Sequence, residues 1–259
     1  MTVRVVSYGG GVQSTALLVL AGAGLIDFRT FLFANVGDHA EGPATLRYLA
    51  EHAAPYAAAH GIELVQLRWV DRWGHTRDLY DDVVANRRSI DIPVRMGSGG
   101  FGHRRCTDFY KIRVVARECR RRGATRDDPA VVALGISCDE VERAKVGVPR
   151  QQPWTTRVNP LLDLGLDRAG CYEVIAKAGL PAPPKSACWF CPFSSGRRWQ
   201  QLRLTNPPLF RKAEALDRLV NRRHQALTGT PAGLAAPDKP LREATAARGS
   251  SCDGGYCFT

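Results

Sequence analysis

The chain has 259 residues and a formal net charge of +11, with 44% hydrophobic and 24% charged residues. That length gives one large domain, or one domain with an appendage, and a core large enough to need no disulfide staples. The balance excludes a disordered chain, no apolar run is long enough to span a bilayer, and MTVRVVSYGGG lacks a secretory h-region; a cytoplasmic protein is expected.

Through the first half, short β-branched runs alternate with helical patterns, which predicts a parallel sheet with crossover helices. Residues 3–7 (VRVVS) give a buried first strand, followed by a glycine turn and a helix over 12–23. Residues 30–35 (TFLFAN) give a second strand, 43–60 a helix ending at Gly61, and 63–67 a third strand. The Gly-rich stretch 91–103 reads as a mobile loop. A helix over 107–122 stops at Gly123, residues 130–136 (AVVALGI) give a fourth strand, and a helix over 167–178 stops at Gly179. Beyond Leu180 strand signals vanish: PAPPKSACWFCPF is a loop, 199–223 is a helix pair broken at Asn206-Pro207-Pro208, and the tail is polar. The expected architecture is α/β, a doubly wound and mainly parallel sheet over 1–180, with a helical, cysteine-bearing appendage over 181–259.

The eight cysteines divide by context. Cys119, Cys138 and Cys171 lie near helical or apolar segments and read as small buried hydrophobes. Cys106 (GHRRCTD), Cys188 and Cys191 (SACWFCPF), and Cys252 and Cys257 (SSCDGGYCFT) fall in loops, where metal or redox roles are expected. A CxxC pair alone serves equally as a zinc knuckle, a redox pair or half of a cluster site. Arginines cluster at 104–105, 120–122, 197–198 and 222–223, favouring phosphate-bearing partners, and no base-reading module accompanies them.

Ser7-Tyr8-Gly9-Gly10-Gly11-Val12-Gln13-Ser14-Thr15 lies where the first strand turns into the first helix. In an open α/β sheet that turn sits at the ligand-binding carboxyl edge. Glycines let the backbone approach a phosphate, and free N–H groups at the helix start favour an anion. The loop has no lysine, so it is no Walker loop, and Ser14 stands where a dinucleotide fingerprint needs its third glycine. It resembles instead the pyrophosphate-binding PP-loop, Ser-x-Gly-Gly-x-Asp-Ser, of the adenine nucleotide α-hydrolase-like superfamily. Ser7, Gly9, Gly10, Gly11, Ser14 and Thr15 match a longer variant, with Gln13 where Asp is usual. Four further segments resemble that superfamily in order: FANVGDH (33–39), RCTDFYKI (105–112), LGISCDE (134–140) with Arg143, and PPKSACWFCPF (183–193).

The resemblance implies ATP and Mg²⁺ as ligands. The loop would cradle pyrophosphate, with Asn35 and Gly135 in the nucleotide site and Asp38 holding adenosine or metal. Lys111, Arg143 and Lys145 would neutralise phosphate charge. Cys106, Cys188 and Cys191 would hold a [4Fe–4S] cluster, with Cys257 (or Cys252) as the fourth ligand. The implied reaction cleaves ATP to AMP and pyrophosphate, adenylating a nucleic-acid acceptor, as in DNA phosphorothioation or tRNA thiolation. The expected partners are DNA or tRNA, a sulfur donor such as a cysteine desulfurase, and a second copy of the chain as a homodimer, with no membrane. Two alternatives remain: a sulfonucleotide (APS/PAPS) reductase, and a non-catalytic nucleotide-binding subunit of a modification complex.

Overall fold

The computed structural model describes residues 2–86, 88–145 and 153–244. Its strands are β1 (Arg4–Ser7), β2 (Thr30–Asn35), β3 (Glu63–Arg68), β4 (Arg95–Met96), β5 (Ala130–Ala133), β6 (Thr155–Val158) and β7 (Ala232–Gly233). Five of them form one sheet in the order β3-β2-β1-β5-β6. Every pairing in it is parallel, with Val6 opposite Phe31, Thr30 opposite Glu63, Arg4 opposite Val131 and Ala130 opposite Thr155.

Side chains alternate across a strand, so adjacent residues of β1 serve two different cores. Val6 joins Leu17, Phe31, Leu161, Cys171 and Ile175 on one face, where helices Val12–Gly22 and Arg168–Lys177 pack together. Val5 joins Leu32, Val114, Val115, Cys119 and Val132 on the other, against helix Arg113–Arg121. Both faces are covered, which is why the central strands read as continuous apolar runs, and the sheet is doubly wound as expected.

The edge strand β6 was not legible in the sequence. In its TTRV only Thr155 is buried, so neither alternation nor an apolar run marks it. Helix Leu79–Ala85, capped by the Asp78 carboxylate accepting from the Tyr80 N–H, is likewise too short to carry a periodic signal. The expected helix over 43–60 is present in segments, with a π-turn at Leu49–Ala53 between Pro43–Tyr48 and Ala54–Ala59. Pro55 accounts for the π-turn, since it donates no N–H and its ring would crowd the carbonyl four residues back.

The stretch 91–103 is tied down, contrary to its reading as a mobile loop. Ile92 and Val94 are buried, and β4 pairs antiparallel with β7 across Arg95–Gly233 and Met96–Ala232. The expectation of no strand beyond Leu180 also fails at β7, whose two residues are too few for any pattern. Helices Gly196–Thr205 and Pro207–Thr228 break where Asn206 accepts from the Leu209 N–H. Trp199, Phe210, Leu216 and Val220 on these helices share a third core with Leu79, Ile92, Val94 and Tyr110.

Cys119 and Cys171 are fully buried as expected, and desolvation pushes their thiols up to about 11 and about 12. Cys138 is exposed instead, because its residue opens a short 3-10 turn at the sheet edge. Since the thiolate is the nucleophile, brief iodoacetamide treatment of folded protein near pH 8 should label Cys138 and spare Cys119 and Cys171. Peptide mapping by mass spectrometry would read this, and labelling of Cys119 before unfolding would contradict the packing.

Candidate functional site

The chain runs from β1 outward to β2 and β3, then returns to place β5 on the other side of β1. The crevice at the carboxyl ends of β1 and β5 is thus the topological switch point, where ligands bind in open α/β sheets. The glycine loop fills it. Gly10 has φ +73°, a left-handed conformation, and a Cβ there would come within 2.8 Å of Thr45 Cγ2. Gly11 caps the helix in an extended conformation; its N–H donates to Ser14 Oγ at 3.2 Å, and that hydroxyl donates back to the Gly11 carbonyl at 3.0 Å. Gly135, just past β5, packs so closely that a Cβ would lie 3.0 Å from the Ser14 nitrogen.

A cleft of about 150 Å³ opens over this loop, lined by Gly9, Gly11, Val12, Gln13, Ser14, Lys111, Gly135, Glu140, Arg143, Arg168, Tyr172, Lys185 and Ser186. Lys111, Arg143, Arg168 and Lys185 bring four positive charges to it, against the single carboxylate of Glu140. Glu140 is buried and spoken for: Arg143 and Arg168 pair with it, and it accepts from Gln13 Nε2 at 3.2 Å. Arg168 Nε is buried without a hydrogen-bond partner among the described residues, a donor that an anionic oxygen would satisfy. The cleft's chemistry, cations around a helix N-terminus, suits a phosphate chain.

A second cavity, of about 40 Å³, adjoins it and is lined by Cys106, Cys188 and Cys191 together with Val36, Leu79, Ile92, Phe190, Phe193, Arg104 and Lys111. The CxxC turn closes through the Cys191 N–H donating to the Cys188 carbonyl at 3.1 Å. Trp189 pins that turn to the loop after β2, its indole N–H donating to the His39 carbonyl at 2.7 Å. Cys106, more than 80 residues earlier, is placed by its N–H donating to the Asp91 carbonyl at 2.9 Å. Three thiols in a largely apolar cavity are a donor set for iron–sulfur or zinc chemistry.

The two cavities share a wall. Lys111 lines both, presented by a π-turn over Asp108–Ile112. The segment before the CxxC turn lies against the glycine loop, since a Cβ on Gly11 would lie 3.1 Å from Ser186 Oγ and one on Gly42 2.9 Å from the Ala187 carbonyl oxygen.

Other sequence-selected residues sit apart from the cleft lining. Thr15 is fully buried and pairs with the Tyr8 hydroxyl at 3.1 Å, so it serves the core; Ser7 and Gly10 form the turn without lining the cleft. Asn35 is buried at the end of β2, where it accepts from the Gly37 N–H and donates to Asp38 at 2.8 Å. Asp38 is 64% exposed and pairs with Arg68 at 2.9 Å. Desolvation raises its carboxyl, but the bonds from Asn35 and Arg68 outweigh this and hold it below the ordinary carboxylate range. Cys252 and Cys257 lie outside the described residues, and the Lys145 side chain is not described. Sequence reasoning missed Arg168, Tyr172, Lys185 and Ser186 as cleft residues. Lys185 and Ser186 did fall in a segment already singled out, but nothing local distinguished Arg168 or Tyr172 from exposed helix residues.

Neither a protein-family model nor a curated protein sequence matches the chain. Among solved structures it is similar to the U34-tRNA thiolase NcsA from Methanococcus maripaludis with its [4Fe-4S] cluster, at 12% identity over 93% of this chain and 80% of that one. The TM-score of 0.40 is too low for that likeness to bear on fold or activity, so the architecture rests on the sheet order itself: this is a doubly wound parallel α/β protein.

Proposed function

We propose that the chain is a PP-loop ATP pyrophosphatase that adenylates a nucleic-acid acceptor, DNA or tRNA, for sulfur insertion. One observation carries the reading: a four-cation cleft over a glycine-loop helix start shares Lys111 with a three-thiol cavity. ATP enters as its Mg²⁺ chelate, with the pyrophosphate portion over Gly9, Gly11 and Ser14. An acceptor oxygen attacks the α-phosphorus, the bond to the bridging oxygen breaks, and pyrophosphate leaves with the electron pair. Lys111, Arg143, Arg168 and Lys185 stabilise the charge that develops on that leaving group. Glu140 holds Arg143 and Arg168 in place before substrate arrives, so little reorganisation is needed.

Cys106, Cys188 and Cys191 would hold the [4Fe–4S] cluster, with Cys257 as the proposed fourth ligand. When bound, the cluster would hold the three thiols together beside the cleft, and sulfur would be carried as a persulfide on the remaining tail cysteine, Cys252. Lys111, on the shared wall, would orient the acceptor between the two. A donor such as a cysteine desulfurase would pass its persulfide sulfur to Cys252. The outer sulfur displaces AMP, forming a disulfide between acceptor and Cys252, and a dithiol reductant releases the thiolated acceptor and the Cys252 thiol as it is oxidised to its own disulfide. The cytoplasm, where thiols stay reduced, is the fitting compartment. No described helix is long and apolar enough to cross a membrane.

The test follows α-labelled ATP with anaerobically purified protein, with and without tRNA or DNA. AMP and pyrophosphate released in an acceptor-dependent manner are the expected result. No cleavage with either acceptor, together with sulfite release from adenylyl sulfate, would replace this reading by the reductase.

A further inference from the structure

We propose that the hairpin following β3 is a stacking platform for an unpaired base of the nucleic-acid partner; the inference rests on the acceptor reading above. After Arg68 the chain folds back on itself. The Arg77 N–H donates to the Trp69 carbonyl at 2.8 Å, Val70 bridges Thr76, and the Asp71 N–H donates to the His75 carbonyl at 3.0 Å. The tip is fixed from within, because one Asp71 carboxylate oxygen accepts from the N–H groups of Trp73 at 2.9 Å and His75 at 3.0 Å. Gly74, at φ +87°, completes the turn.

The base of the hairpin is equally well held. Trp69 packs on Phe109 and Tyr110, the neighbours of Lys111, with ring centroids 5.6 and 4.8 Å away. Arg117 donates to the Val70 carbonyl at 2.9 Å. The hairpin therefore rises from the carboxyl edge of the sheet, anchored on the turn that supplies the shared wall of the two cavities.

What this scaffold presents is an indole. Trp73 is 66% exposed, with the Arg72 guanidinium 4.1 Å from its ring centroid. Charge decides the partner. Arg68, Arg77 and Arg113 nearby are each paired with a carboxylate, on Asp38, Asp82 and Asp108. Among the described residues Arg72 and Arg117 form no ion pair, so their charge is left for a partner's phosphates. An exposed ring beside uncompensated guanidinium is what unpaired bases and their backbone take, since every base has a π-face. A duplex keeps its bases stacked on one another and offers the ring little.

The test measures binding of a short labelled single strand and its duplex, in DNA and RNA versions, by fluorescence anisotropy across a salt series. Trp73→Ala should weaken single-strand binding about 5- to 100-fold and change duplex binding little. Trp73→Phe should recover most of the loss. The salt slope should stay the same, because no phosphate contact is removed, and ATP binding should be unaffected. Equal single-strand affinity for wild type and Trp73→Ala would overturn the platform while leaving the acceptor reading standing. Wild-type protein that binds neither strand nor duplex would overturn both. A wild-type dimer converted to monomer by Trp73→Ala would assign the ring to self-association and overturn the platform.

Discussion

Gly10→Ala should weaken ATP binding by about tenfold or more, the combined effect of backbone strain and of a loop displaced by the clash with Thr45. At φ +73° an L side chain costs ~1–2 kcal/mol; the free loop sheds that strain by relaxing, so binding must restore it, at a cost of roughly 5- to 30-fold in affinity. Its Cβ would also stand 2.8 Å from Thr45 Cγ2, and Thr45 is buried at the start of helix Pro43–Tyr48, so the loop must move instead. A moved loop no longer aims its N–H groups where phosphate lies. Gly24→Ala is the control, since Gly24 has nearly the same φ of +75° but nothing within 4 Å of its Cβ. It should lower thermal stability by a few degrees and leave ATP affinity intact. Titration calorimetry with a non-hydrolysable ATP analogue reads both, and unchanged affinity in Gly10→Ala would remove the loop from the nucleotide site.

Cys188→Ala should abolish the broad visible absorbance and bound iron of anaerobically purified protein. The variant should keep its far-UV circular dichroism and its ATP affinity, because Cys188 lines the thiol cavity and not the phosphate cleft. The Trp189 bonds to the His39 and Ala40 carbonyls should hold the loop in place without the thiol. Iron assay and absorbance decide the matter. A colourless wild-type protein with stoichiometric zinc would refute the cluster.

The physical reason some features were legible is locality. β1, β2 and the helix Val12–Gly22 announce themselves because both faces of a central parallel strand must be apolar, and because a helix under the sheet is buried along most of its length. The glycine loop is legible for the same reason: φ > 0 and close approach are demands on single residues, met by Gly10 and Gly135. The CxxC turn, confined to four residues, is legible too.

Edge strand β6 and the two-residue pair β4–β7 were not, since partners distant in the chain stabilise them more than their own residue pattern. The stretch 91–103 looked mobile by its glycines, yet a core built from Ile92, Val94 and the C-terminal helices holds it. Asn35 and Asp38 stood out only as part of a local motif, and it is the tertiary structure that pairs them with each other and Asp38 with Arg68. By itself the sequence determined the fold class, the glycine turn after β1 and the thiol inventory, because each is written in neighbouring residues. Only the tertiary structure decided that Arg168 and Lys185 join Lys111 and Arg143 over that turn, and that Cys106 meets the CxxC loop across a wall shared with it. Those encounters depend on crossover connections that bring residues dozens of positions apart to one sheet edge, and no local periodicity encodes them.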